Sequence, residues 1–163
     1  MRYAESSLSA AAGRPIVPRR RVGAVVRLAD GRSLQGELYA AIQDKEHPEG
    51  SVLERLNEAS ESYLPLALAD RHLLLARHAI VSVAVRAADV ERAVPRHVFT
   101  VEMGLTDGQR LQGKLHSLAD VRYQRTLDHL NEIGRRFVAL HRDEDVVYVN
   151  GAYVVLVQEI SRD

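Results

Sequence analysis

The sequence contains no cysteine, so disulfide bonds, thiol nucleophiles and cysteine-ligated metals are all excluded. Aromatic residues make up only 5% of the chain, a thin supply for the stacking platform on which single-stranded nucleic acid rests. Long apolar runs are missing too. Stretches such as Ala79-Ile80-Val81-Ser82-Val83-Ala84-Val85 fall far short of the roughly 20 residues of a membrane-spanning helix, so no membrane span is expected. There is no Gly-x-Ser-x-Gly elbow, no Gly-x-x-x-x-Gly-Lys phosphate loop and no Gly-x-Gly-x-x-Gly fingerprint. No catalytic residue, cofactor or metal ligand is therefore assigned, and a non-enzymatic role is expected.

Net charge is also absent, since 22 Lys and Arg balance 22 Asp and Glu over 163 residues. The balance hides a gradient. Residues 1–21 hold five arginines and one glutamate; residues 22–95 hold eight basic against eleven acidic side chains, and residues 96–163 nine against ten. A basic arm thus precedes a mildly acidic body, which disfavours a body that coats itself with nucleic acid. The arm has no apolar core segment, and its arginines stand at the wrong end for a secretory signal, so a cytoplasmic location is expected.

What the chain does have is an internal echo. Asp30-Gly31-Arg32-Ser33-Leu34-Gln35-Gly36-Glu37-Leu38 returns as Asp107-Gly108-Gln109-Arg110-Leu111-Gln112-Gly113-Lys114-Leu115. Apolar alternation leads into each Asp-Gly, and Leu-x-Gly-x-Leu follows, which spells a hairpin with a tight turn. Gly36 and Gly113 interrupt strand patterns, so each marks a bulge or a close backbone approach, with a crossing helix as the expected visitor. Ser51-Val52-Leu53-Glu54 spells a capping box, opening a helix of about ten residues striped by Val52, Leu53, Leu56 and Ala59. Its counterpart carries Tyr123, Leu127, Leu130 and Ile133 and stops at Gly134.

Strands are expected at Tyr63 to Leu68, with Pro65 at an edge position, then at Leu73 to Ala76 and at Ile80 to Val85. In the second copy Phe137 and Leu140 match Tyr63 and Leu66 at a spacing of 74, and Asn150-Gly151 reads as a hairpin turn. The fold class is α+β: a tandem pseudo-repeat of two small antiparallel units, each strand, strand, helix, strand, strand, strand, drawn as half-open barrels. The domains read as a basic flexible arm (1–21), a first lobe (22–86), a linker (87–96) and a second lobe (97–163). Ile80 to Val85 and Val154 to Ile160 are expected at a pseudo-twofold interface between lobes.

Few residues read as sites. Arg19, Arg20 and Arg21 offer guanidinium forks to an anionic partner. Asn57 and Asn131 hold one position in both helices, and an amide there is expected to tie the helix end to neighbouring backbone. Seven histidines, His47, His72, His78, His97, His116, His129 and His141, form no metal-ligand string, and only His116 and His129 are expected to meet. Asp143-Glu144-Asp145 reads as a solvated turn.

The run Asp-Gly-x-x-Leu-x-Gly-x-Leu, then Leu-x-x-Leu-Asn-Glu on a helix, then Tyr/Phe-x-x-Leu, resembles small uncharacterised bacterial α+β domains, present here twice between Val22 and Ile160. The resemblance implies a fold and no activity. The arginines before a first strand are placed as in PilZ receptors of cyclic dinucleotides, but that family's Asp/Asn-x-Ser-x-x-Gly element is absent. The expected function is a protein-interaction or assembly module that acts through strand edges and the basic arm, with homo-oligomerisation open to it. The alternative is a small-barrel RNA- or nucleotide-binding protein of the Sm-like kind, with nucleic acid as the less favoured partner.

Overall fold

The computed structural model describes residues 19–41, 51–58, 60–90, 93–133 and 137–162. The expected tail before Arg19, as well as Ala59, Gly134 and His47, lie outside them. Among the described residues ten strands form a single antiparallel sheet, and two short helices pack on it. In chain order the elements are β1 (Arg19–Leu28), β2 (Ser33–Ala41), α1 (Ser51–Asn57), β3 (Tyr63–Ala67), β4 (His72–Ala76) and β5 (Ile80–Arg86). They continue with β6 (His97–Leu105), β7 (Arg110–Ser117), α2 (Thr126–Ile133), β8 (Phe137–His141), β9 (Asp145–Asn150) and β10 (Val154–Arg162). Their order across the sheet is β10-β6-β7-β8-β9-β5-β1-β2-β3-β4.

The hairpins form as their spelling dictates. Gly31 and Gly108 adopt φ of 91° and 84°, the left-handed conformation that a residue without Cβ reaches at no steric cost. The Asp30 carboxylate accepts the backbone N–H of Arg32 at 3.0 Å, and that of Asp107 accepts the N–H of Gln109 at 2.9 Å. Along β1 the apolar face alternates strictly: Val22, Ala24 and Val26 are buried while Gly23 and Val25 are exposed. Phe99, Val101, Met103 and Leu105 repeat this on β6.

Pairing registers recur at fixed offsets. In β1–β2, Val22 faces Leu38 and Val26 faces Leu34; in β6–β7, Phe99 faces Leu115 and Met103 faces Leu111, each 77 residues on. In β3–β4, Tyr63 faces Ala76 and Leu66 faces Leu73; in β8–β9, Phe137 faces Asn150 and Leu140 faces Val147, each 74 residues on. The register shift that skips Val81 between β1 and β5 returns at Val155 between β6 and β10.

Several expectations are corrected. Gly36 and Gly113 do meet close backbone, but the visitor is a strand. A Cβ on Gly36 would lie 2.6 Å from the carbonyl oxygen of Ala67 on β3, and one on Gly113 2.8 Å from that of His141 on β8. Asn150-Gly151 is not a hairpin turn. Residues Gly151–Tyr153 form one turn of 3-10 helix, Gly151 keeps an ordinary φ, and β9 pairs with β8 and β5 rather than β10. Helix α1 spans seven described residues rather than ten, and Tyr123 precedes α2 and is exposed. Arg19, Arg20 and Arg21 belong to β1, opposite Ala41, Ala40 and Tyr39, because the β2 ladder extends to meet them. Pro65 lies on β3, which has neighbours on both sides; the β2 ladder ends at Leu66, so the missing N–H of Pro65 costs no pairing there, and the edge is β4.

Two apolar clusters form. One gathers β1, β2, α1 and β3; the other gathers β6 and β7. The central pair β5–β9 divides them, with Ile80, Val83, Val85, Val146 and Tyr148 in the first cluster and Val81, Val147 and Val149 in the second. Side chains alternate across a strand, so a strand set between two cores must be apolar on both faces. That is why Ile80 to Val85 and Val146 to Val149 read as near-continuous apolar runs.

Candidate functional site

The ends of the sheet are its chemically unusual places. Among the described residues strand β4 pairs with β3 alone and β10 with β6 alone, so each is an edge of the sheet with one side of its backbone outside the ladder. Both strands are continuous apolar runs, Leu73-Leu74-Leu75-Ala76 and Val154-Val155-Leu156-Val157, of the kind found in the doubly covered centre. Leu74 is 72% exposed and Val155 65%, whereas their counterparts 74 residues away, Tyr148 and Val81, are 3% and 6% exposed. Among the described residues eleven large hydrophobics are exposed, and six of these, Tyr63, Leu74, Leu127, Val155, Leu156 and Ile160, lie on β3–β4 or on α2 and β10. Of the six exposed residues that lie in strands, five are therefore on β3–β4 or β10, and Val25 on β1 is the exception.

The middle of the sheet shows how one half holds the other. Strand β5 meets β9 with Ser82 opposite Val149, Val83 opposite Tyr148 and Val85 opposite Val146. Asn57, the last residue of α1, reaches across to β8: its Oδ1 accepts the N–H of Phe137 at 2.8 Å, and its Nδ2 donates to the Phe137 carbonyl at 3.2 Å. Asn150 Nδ2 donates to the carbonyl of Ile80 at 2.9 Å, and the Tyr153 hydroxyl to that of His78 at 2.7 Å. Arg27 on β1 bridges to Asp107 at 3.0 Å and bonds the side chain of Gln109. A backbone bond from Ala87 to Glu144 closes the seam.

The expected site residues separate. Arg20 donates to the carbonyl of Asp89 at 3.2 Å, and the Arg21 guanidinium lies 5.3 Å from the Tyr39 ring centre. Tyr39 in turn meets His72 of β4, hydroxyl to Nε2 at 3.1 Å, with the rings stacked. Arg20 and Arg21 are thus strand residues held by neighbouring elements, and Arg21 is linked through Tyr39 to the β4 edge. Asn57 makes the helix-to-backbone tie expected of it, while Asn131 on α2 is exposed. His116 stacks on His141 at 3.8 Å between centroids rather than on His129, which tilts against Phe99. The expected pseudo-twofold contact of Ile80 to Val85 with Val154 to Ile160 does not form. β5 lies at the centre of the sheet and β10 at its end, so the halves join head to tail.

The electrostatics are those of turns. The N–H of Arg32, followed by its guanidinium, holds the Asp30 carboxyl below its ordinary value. The N–H and hydroxyl of Ser60 do the same for Glu58. Hydrogen bonds to Asp128 and Asp145 raise Arg125 and Arg142, and the second pair occupies the turn that contains the Asp143 to Asp145 run. No group of three or more His, Asp or Glu among the described residues is placed to hold a metal ion. A shallow cleft between α1 and β2, lined by Leu38, Tyr39, Val52, Arg55, Leu56 and Leu64, has a cavity volume of about 10 Å³, room for a water molecule and far below the ~300 Å³ at which small-molecule pockets begin. No helix among the described residues is long and apolar enough to cross a membrane.

Comparison with protein-family models, with curated proteins and with solved structures finds no match to this chain. The central seam is what sequence reading missed. Its signal was the loss of alternation in Ile80 to Val85 and Val146 to Val149, which marks strands covered on both faces.

Proposed function

We propose that this chain is a non-catalytic assembly module that docks a protein strand on each open end of its sheet. A partner strand would add to the backbone row of β4 or β10, the main chain giving affinity and alternate side chains specificity. The observation that carries the reading is the concentration of exposed apolar side chains on those two ends. Arg21 lies beside the β4 edge through Tyr39 and His72, and supplies positive charge there. On this reading residues 22–86 and 97–163 are two copies of one plan, a view supported by the registers that recur at 77 and 74 residues.

The test uses the purified full chain, immobilised and exposed to extract of its native cell. Bound protein should be lost with Leu74→Lys or Val155→Lys and kept with Val25→Lys, whose exposed side chain lies on β1 away from both ends. The bound form should also slow hydrogen exchange of the β4 and β10 amides. Binding indifferent to both edge lysines, or lost equally with Val25→Lys, would refute the reading.

A further inference from the structure

We propose that the partner is a second copy of this chain, with β10 of one copy laid antiparallel on β4 of the next in the register that β5 makes with β9. The inference rests on the edge-docking reading and names its occupant. Moving the observed β5–β9 pairs by the 74-residue offset places Leu156 opposite Leu75, Val157 opposite Leu74, and Glu159 opposite His72. Each strand end is then covered as its counterpart is. Leu74 takes the place of Tyr148, buried in the neighbouring cluster, and Val155 takes that of Val81.

The helix contact repeats as well. Asn57 of α1 grips the backbone of Phe137; 74 residues away stand Asn131 on α2 and Tyr63 on β3, both exposed at opposite ends of the molecule. Leu127, 57% exposed, is the counterpart of Leu53, which packs against the first cluster. A head-to-tail neighbour brings Asn131 to the Tyr63 backbone and covers Leu127 in one movement. One 74-residue offset therefore brings an edge register, an amide and an apolar contact to the same neighbour.

The seam between copies would be weaker than the seam within. Asn150, which donates to Ile80, has Ala76 as its counterpart, and Arg27, which holds Asp107, has Gly104. Association is therefore concentration-dependent, and the missing amide can be supplied. Ala76 and Asn150 cap equivalent 3-10 turns with nearly the same backbone, φ −67°, ψ 119° and φ −73°, ψ 117°. Ala76→Asn should tighten association by on the order of tenfold, while Leu74→Lys, which buries a charge in the seam, should weaken it by on the order of a hundredfold.

Sedimentation of the full chain across concentrations gives the association constant, and cross-linking gives the register. The chain has no native cysteine, so Leu74→Cys and Val157→Cys report alone. Mixed, the two variants should form a disulfide between unlike chains; each by itself should not, and the double variant should give a ladder of chain multiples. A wild-type chain that stays monomeric would overturn the inference. So would either cysteine variant cross-linking to itself as well as to the other, which marks a two-fold contact. If the chain is monomeric yet its capture of another protein still fails with Leu74→Lys, the edge-docking reading survives and only the identity of the partner is wrong.

Discussion

Asn57 and Asn131 stand 74 residues apart in the same Leu-x-x-Leu-Asn-Glu run, but Asn57 ends α1 and grips Phe137 whereas Asn131 lies within α2 and is exposed. Removing the Asn57 side chain takes two hydrogen bonds from Phe137, whose side chain is fully buried. β7 pairs with β8 only at Lys114 and His141, so no strand replaces the amide beside Phe137. A buried backbone group left without a partner costs about 1–3 kcal/mol, and Asn57 is itself half-buried, so its replacement can admit water at one of the two groups. Asn57→Ala should therefore cost about 2–4 kcal/mol in all, or roughly 4–16 °C of Tm for a chain of this size. Asn131→Ala, measured where the chain is monomeric, touches an exposed helix position and should stay within about 0.5 kcal/mol.

Thermal unfolding followed by circular dichroism at low concentration compares the two. Asn57→Asp sharpens the comparison, because a carboxylate still accepts from the Phe137 N–H but opposes its carbonyl. The protonated acid can donate as the amide does, so its folded pKa should be raised. Stability lost relative to wild type should then be smaller below the unfolded carboxyl value of about 3.9 and grow as pH rises through the folded one. Equal Tm losses from Asn57→Ala and Asn131→Ala, or a pH-independent Asn57→Asp deficit, would refute the assigned role of the amide.

Two further predictions follow from the turns and close approaches. Gly36→Ala and Gly113→Ala each force a Cβ to within 2.8 Å of a strand carbonyl and should cost about 1–3 kcal/mol. Gly23→Ala meets nothing within 4 Å and should be neutral or slightly stabilising, all three being read by urea denaturation. Asp30, held low by the Arg32 N–H and guanidinium, should titrate below its ordinary value by carboxyl NMR. Its contribution to stability is present above the unfolded value and lost as pH falls through the folded one, and Arg32→Ala should move the midpoint upward.

Local structure was legible where the local chemistry was decisive. Asp-Gly followed by Leu-x-Gly-x-Leu dictated both hairpins, because a positive φ and period-two burial leave few alternatives there. The close approach at Gly36 and Gly113 was legible as well, but the identity of the visitor was not, since a missing Cβ records a neighbour without naming its element. Asn150-Gly151 misled for a physical reason. An Asn before Gly favours a tight turn, but here the Asn150 amide is spent on Ile80 and on the N–H of Ala152, and the chain turns through a 3-10 segment away from β9. The pairing of β5 with β9 joins residues about 65 apart, and no local pattern encodes a partner at that distance. What the pattern did encode was coverage on both faces, a signal equally strong in β4 and β10.

That last point bears on symmetry. A two-fold dimer through β4 would set Leu74 against its own copy but leave Val155, Leu127 and Asn131 of both chains uncovered at the far ends. A two-fold dimer through β10 would leave Leu74 and Tyr63 exposed in the same way. Of these arrangements a heterologous contact is the one that would cover all of them, since each end would meet the other, and contacts of that kind either close into a ring or extend as a fibre according to the rotation per step. If copies join as proposed, the rotation per step is that of the β5–β9 seam, which sets the first half of the chain against the second. On that proposal the contacts of that seam, those of Asn150 and Arg27 among them, are the ones whose presence or absence between copies would set how far assembly proceeds. With Ala76 and Gly104 at the counterpart positions, a contact between copies would lack both interactions and would part before the chain itself unfolds.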